Sequence, residues 1–163
     1  MARGLIIDVE DLIGHPESRR QFSGEHRVRL RLGDTAIDGP AQAEGVAKGT
    51  VDGVIAEFTV SAPAHFNCVR CLTEWDGVLG TAGSQHFTRV PDEDGYVITG
   101  GQIDLTGPIT DELALSMPHA PVCRPDCKGL CPICGSDLNE DPCDGHGEDM
   151  DSPFAVLRDL FDS

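Results

Sequence analysis

Two stretches, Glu25-His-Arg-Val-Arg-Leu-Arg-Leu32 and Val54-Ile-Ala-Glu-Phe-Thr-Val-Ser61, decide the fold class. In the first, Val28, Leu30 and Leu32 alternate with Arg27, Arg29 and Arg31, the period of a half-buried strand with its arginines turned outward. In the second, Val54, Ala56, Phe58 and Val60 alternate with Glu57, Thr59 and Ser61, and the run ends near Pro63, just ahead of Cys68. One sheet face is therefore expected to be strongly basic.

Around these strands, Gly39-Pro40, Gly49, Gly53, Gly77, Gly80 and Gly83 read as breaks that divide the first hundred residues into short segments. That rhythm predicts a mainly β (α+β) fold, an antiparallel meander or partly open barrel with short helices and a C-terminal zinc-binding segment. Residues 92–101 read as an exposed acidic loop around a short edge strand at Tyr96, Val97 and Ile98. Ile109, Leu113 and Met117 fall at helical spacing, with Thr106 as the expected cap and the helix ending before Pro118. Asp151-Ser-Pro153 followed by Phe154, Leu157 and Leu160 predicts a capped amphipathic helix docked on the rest. The organisation expected is one compact unit: a β-rich domain over residues 1–117 carrying the first Cys-x-x-Cys, with a Cys-rich zinc segment and terminal helix over 118–163 packed on it.

With 163 residues and aromatics at only 5%, the core must be built from Val, Ile, Leu and Ala, and such a core gains from a metal staple. No apolar run approaches the roughly 18 to 20 residues that span a bilayer, and acidic residues interrupt the N-terminal apolar run before a signal sequence can develop. Seven cysteines, four of them within residues 123–134, fit reduced thiolates in a cytoplasmic setting better than paired disulfides. The formal charge is −16, but unevenly spread. Residues 1–31 hold six of the 12 basic and five of the 28 acidic residues, about +1, so the remainder carries −17. Such a chain is suited to touch nucleic acid at one place and basic proteins elsewhere.

Zinc takes four soft or borderline ligands tetrahedrally, and a Cys-x-x-Cys turn supplies two sulfurs at once. Cys68-Val-Arg-Cys71 is one such turn; Cys131-Pro-Ile-Cys134 is another, followed by Gly135, which permits a positive φ. Cys123 and Cys127 form a wider pair, and Cys143 is followed by His146. Eight ligands make two complete sites: Cys68 and Cys71 with Cys123 and Cys127, and Cys131 and Cys134 with Cys143 and His146. The alternative is one zinc on a local set of Cys123, Cys127, Cys131 and Cys134. A redox Cys-x-x-Cys opens a helix after a strand, whereas Leu72-Thr-Glu-Trp75 continues as strand sequence, so a redox-sensing role is the weaker reading. No His-Glu-x-x-His, phosphate loop or nucleophile elbow is present, and the chain reads as no enzyme, without a small-molecule substrate.

The run Cys123-Arg-Pro-Asp-Cys-Lys-Gly-Leu-Cys-Pro-Ile-Cys-Gly-Ser-Asp-Leu-Asn139, preceded by Cys68-Val-Arg-Cys-Leu72 and followed by Asp151-Ser-Pro-Phe-Ala-Val-Leu157, resembles the bacterial large ribosomal RNA subunit accumulation proteins (YceD-like). Many relatives show Cys-x-Cys where this chain has Cys143-Asp-Gly145, so His146 stands as the replacement ligand. The resemblance implies a non-enzymatic factor for large ribosomal subunit assembly, needed for 23S rRNA accumulation. It implies partners in the large-subunit precursor, its 23S rRNA or basic ribosomal proteins such as bL32. Combined with the charge pattern, it leads us to expect Arg27, Arg29 and Arg31, with Arg19 and Arg20, to meet rRNA phosphates while the acidic remainder meets basic proteins. The competing expectation is an acidic chaperone that holds a basic ribosomal protein without touching RNA.

Overall fold

In the computed structural model, the described residues are 5–90, 95–140, 143 and 146. The expected helix at 151–160 lies outside them, as does the acidic tip 91–94.

The chain forms β1 (Ile6–Asp8), β2 (Arg19–Leu32), β3 (Thr35–Gly49), β4 (Gly53–Asn67), β5 (Glu74–Thr88), β6 (Tyr96–Val97), β7 (Gln102–Asp104) and α1 (Thr106–Ser116). β2 to β5 make an antiparallel meander, with β6 added parallel at the edge, in the order β2-β3-β4-β5-β6. β1 and β7 pair separately. The fold is mainly β, as the alternating runs predict.

The strands differ from expectation in length. Gly39-Pro40, Gly77, Gly80 and Gly83 do not break them: β3, β4 and β5 each run 15 residues. These residues let long strands coil. At Gly45 a Cβ would sit 2.1 Å from the Glu57 main-chain oxygen and 2.8 Å from the Phe22 ring, so the close crossing of β3 over β4 needs the missing side chain. Gly39-Pro40 falls where the β3–β4 register slips, between Ala36 and Gln42.

One sheet face is buried, and α1 lies on it, touching β5, β2 and β4. A single helix reaches strands one and four of the order only because the sheet curls around it as a half-barrel. Ile109 and Leu113 are fully buried from the helix, against Val28, Ile37, Ala41, Ala43, Ala47, Val54, Ala56, Phe58 and Phe87. The β1–β7 pair adds Ile7 and Ile103 to the same core. Thr106 is the first helical residue and not the cap: Leu105 holds the cap position without a side-chain capping bond, and the Thr106 N–H donates to Asp104 Oδ1 at 2.9 Å.

The connections are short. Gly33 and Asp34 turn β2 into β3, while β4 passes into β5 through residues 68–73, the first Cys-x-x-Cys itself. Phe66 and Trp75, opposite one another in register, stack at 5.2 Å beneath that turn. Trp75 touches both the main core and the buried thiols, and so ties one to the other.

Candidate metal centre

The two Cys-x-x-Cys turns are copies of one backbone structure. In the first, Leu72 N–H donates to Cys68 O and Cys68 N–H to Thr73 O, both at 2.9 Å. In the second, Gly135 N–H donates to Cys131 O at 2.9 Å and Cys131 N–H to Ser136 O at 2.8 Å. The residue after the second cysteine has positive φ in each, 61° at Leu72 and 75° at Gly135. Glycine takes that conformation freely and leucine does not. A hydroxyl two residues after the second cysteine meets its sulfur in both turns: Thr73 Oγ1 at 3.2 Å from Cys71 Sγ, and Ser136 Oγ at 2.7 Å from Cys134 Sγ.

Cys68, Cys71, Cys123 and Cys127 come together, with all ligand atoms within 4.8 Å of one another. The Cys68 and Cys127 sulfurs are 3.8 Å apart and those of Cys71 and Cys123 3.6 Å. Zinc–sulfur bonds of about 2.3 Å in a tetrahedron put the sulfurs about 3.8 Å apart, so the four fit the ion. The same separations are far beyond a disulfide bond of about 2.05 Å, so neither Cys68 and Cys127 nor Cys71 and Cys123 are disulfide-linked. Cys131, Cys134, Cys143 and His146 form a second group under the same 4.8 Å limit. Here Cys134 and Cys143 sulfurs lie 3.8 Å apart and His146 Nε2 lies 3.0 Å from Cys143 Sγ. The local set Cys123, Cys127, Cys131 and Cys134 is not one of the groups brought together among the described residues.

The segment after α1 is stitched to the first turn through its backbone. Val69 N–H donates to Pro121 O at 3.0 Å, Leu130 N–H to Arg70 O at 2.9 Å, and the Arg70 guanidinium to Cys127 O at 2.9 Å. Leu130 and Asp137 then pair as an isolated antiparallel bridge, which presents the second Cys-x-x-Cys at the tip of a small hairpin. Asn139, at the foot of that hairpin, points Nδ2 at Cys127 Sγ (3.6 Å) while its Oδ1 accepts from Lys128 N–H (2.9 Å).

The electrostatics favour thiolate at Cys68, Cys71, Cys131 and Cys134 and oppose it at Cys123. Burial alone would push the Cys68 thiol up, yet backbone N–H groups of Cys123, Cys71 and Arg70 bring its pKa down to about 6. Cys71 is lowered by the Thr73 hydroxyl. Cys123 is pushed up to about 12 by desolvation and then by the neighbouring Cys71, Cys127 and Cys68. In the second group the backbone N–H of Cys134 lowers Cys131, and the Ser136 hydroxyl lowers Cys134 to about 6. His146 is raised by Cys134. Both groups offer four donors, a complete tetrahedral set, so the arrangement suits a closed structural site.

Of the arginines, Arg27, Arg29 and Arg31 stand exposed on the outer sheet face, as the alternation predicts, and Arg19 stands exposed on the same face. Arg20 points the other way and grips both Asp11 carboxylate oxygens, at 3.0 and 2.9 Å. The outer face is not uniformly basic. Arg27 and Arg29 share Asp38 of β3, at 2.9 and 3.2 Å, and Arg27 holds the Asp38 carboxyl below the usual carboxylate range. Lys48 pairs with Glu57 on the same face. Among the described residues, Arg19 and Arg31 make no ion pair. Sequence reading missed Thr73, Ser136 and Asn139; the repeated Cys-x-Ser/Thr after each turn is a signal that points to the first two.

Residues 56–161 match the model of the family described as large ribosomal RNA subunit accumulation protein YceD. Uncharacterized proteins of Mycobacterium tuberculosis and Mycobacterium bovis are each 39% identical to the chain over 119 residues, 68% of this chain and 56% of theirs. An uncharacterized protein of Mycobacterium leprae is 34% identical over 144 residues, 83% of this chain and 65% of its own length. The chain thus spans a little over half the length of the first of these relatives. No solved structure matches it. No helix among the described residues is long and apolar enough to cross a membrane.

Proposed function

We propose that this chain, which belongs to the YceD family of large ribosomal RNA subunit accumulation proteins, is a non-enzymatic cytoplasmic factor for large-subunit assembly whose fold is clamped by two zinc ions. Cys68, Cys71, Cys123 and Cys127 hold one ion; Cys131, Cys134, Cys143 and His146 hold the other. The observation that carries this is the gathering of eight ligands into two closed sets of four in a chain of this family. The ions act by fastening the segment after α1 to the β4–β5 turn, so that a curled sheet poor in aromatics keeps one defined surface.

On that surface, Arg19 and Arg31 are the cations available to 23S rRNA phosphates, with Arg27 and Arg29 reaching them only if Asp38 lets go. The −17 carried beyond residue 31 suits basic large-subunit proteins such as bL32. Sedimentation of an extract containing the tagged full-length protein tests the assignment: co-migration with large-subunit precursors, and 23S rRNA loss on depletion, support it. A protein that stays at the top of the gradient, with 23S rRNA unchanged on depletion, contradicts it.

One observation favours a second reading. Because Asp38 already occupies Arg27 and Arg29, the outer face is closer to a mixed-charge protein-binding surface than to an RNA-binding one. An acidic chaperone would co-purify with a single free ribosomal protein and show no RNA after nuclease-free isolation.

A further inference from the structure

The two sets of four ligands differ in burial, donor set and support. In the first, Cys68, Cys71 and Cys127 are buried, with Cys68 fully so, in a small core closed by Trp75, Val122 and Leu130. Its ligands come from positions separated by 52 and 59 residues, pinned between a β-hairpin and the segment after the helix. In the second, only Cys131 is buried; Cys134 and His146 are exposed, and all four ligands fall within residues 131–146. One imidazole replaces a thiolate, so the second site holds a divalent ion with one negative charge fewer. Among the described residues, no buried apolar cluster forms around its turn apart from that of the first site. It stands on the first site, through Leu130 N–H to Arg70 O and through Asn139 Nδ2 to Cys127 Sγ.

We infer that the outer set, Cys131, Cys134, Cys143 and His146, is an exchangeable zinc site mounted on a permanent inner one, so that the outer hairpin orders and loosens with zinc supply while the sheet stays intact. The inference rests on the two-zinc reading above. Exposure lets water and competing thiols reach the outer ion, and a weaker charge at the site lowers its hold. Dependence runs one way: the outer hairpin is built on Cys127 and Arg70, whereas no described contact of the inner set requires the outer ion. Asn139 is a positioning residue at this junction. It donates to an inner thiolate and, through Lys128 N–H, fixes the chain that leads into the outer turn.

The test is release of zinc from the loaded full-length chain into a chromophoric chelator, with native mass spectrometry counting bound ions and far-ultraviolet circular dichroism following the sheet. The expected course is two equivalents leaving in two phases at least tenfold apart, with a one-zinc species accumulating and the sheet signal unchanged after the first phase. Cys143→Ser is expected to bind one zinc and show only the slow phase. Asn139→Leu is expected to accelerate the slow phase with the sheet signal retained at the start. Two equivalents leaving in a single phase, a fast phase that persists in Cys143→Ser, or sheet loss with the first ion would overturn the inference while leaving two zincs per chain standing. Fewer than two zincs in the loaded wild type would overturn the parent reading and this one together.

Discussion

Leu72 and Gly135 occupy the same place in two copies of one turn, and only one of them is suited to it. Leu72 holds φ at 61° with its side chain 66% exposed, so no packing contact visibly offsets the left-handed backbone, which costs a non-glycine residue about 1 to 2 kcal/mol. Glycine there gives back about 0.5 to 1 kcal/mol of that gain in unfolded-chain entropy. Leu72→Gly is therefore expected to leave the denaturant midpoint of the zinc-loaded protein unchanged or slightly raised, whereas Gly135→Val is expected to lower stability by at least about 1 kcal/mol. A marked loss in Leu72→Gly would mean that the leucine packs where none of its described neighbours show it. The hydroxyls follow the same logic. Thr73→Val and Ser136→Ala each remove a hydroxyl that hydrogen-bonds one cysteine sulfur, and each is expected to weaken its own site about 10- to 100-fold in a zinc competition titration while sparing the other.

The strands show what alternation can and cannot reveal. β2 and β4 were legible because valine, leucine and phenylalanine alternate with charged or hydroxyl residues. β3 also alternates, but its core side is Thr35, Ile37, Gly39, Ala41, Ala43, Gly45, Ala47 and Gly49, and small residues give little hydropathy contrast with the outer face. At Gly45 the need for a small residue is direct, since a Cβ there would meet the Glu57 main-chain oxygen and the Phe22 ring. Glycines that read as breaks are in fact points of close approach. Gly45→Ala, at 2.1 Å from a backbone oxygen that cannot rotate away, is expected to cost about 1 to 3 kcal/mol in chemical denaturation. A neutral result would show that β3 and β4 can separate at that crossing. The basic face was misjudged for a related reason: periodicity places Arg27 and Arg29 outward, but only cross-strand register brings Asp38 between them. If the outer face meets RNA, Asp38→Asn is expected to tighten binding and steepen its salt dependence by up to about 0.7 per added phosphate contact. Unchanged affinity and slope would argue for a protein partner instead.

At the scale of the whole molecule, under the two-zinc proposal, the cysteines do for this sheet what a larger core does elsewhere. That Cys68, Cys71, Cys123, Cys127, Cys131, Cys134, Cys143 and His146 are the candidate donors was legible from spacing and count, whereas their grouping was not, since a local set of Cys123, Cys127, Cys131 and Cys134 satisfied the same spacing and only the fold brings the two observed groups together. Nor was their support, because Arg70 and Trp75 act through contacts between segments far apart in the chain, and Asn139 reaches Cys127 only once the hairpin between them has formed. Joining residues 68–71 to 123–127 closes a loop of more than fifty residues, which is worth on the order of 4 kcal/mol through the unfolded chain alone. Prolonged chelation that empties both sites is therefore expected to cost at least that much global stability and to free residues 118–140 for proteolysis ahead of the sheet. The central claim, two closed zinc sites from these eight ligands, is tested most directly by elemental analysis of the full-length protein purified under reducing conditions. Two zinc atoms per chain are predicted, falling to one in Cys143→Ser; one zinc per wild-type chain, or two retained in Cys143→Ser, would contradict it.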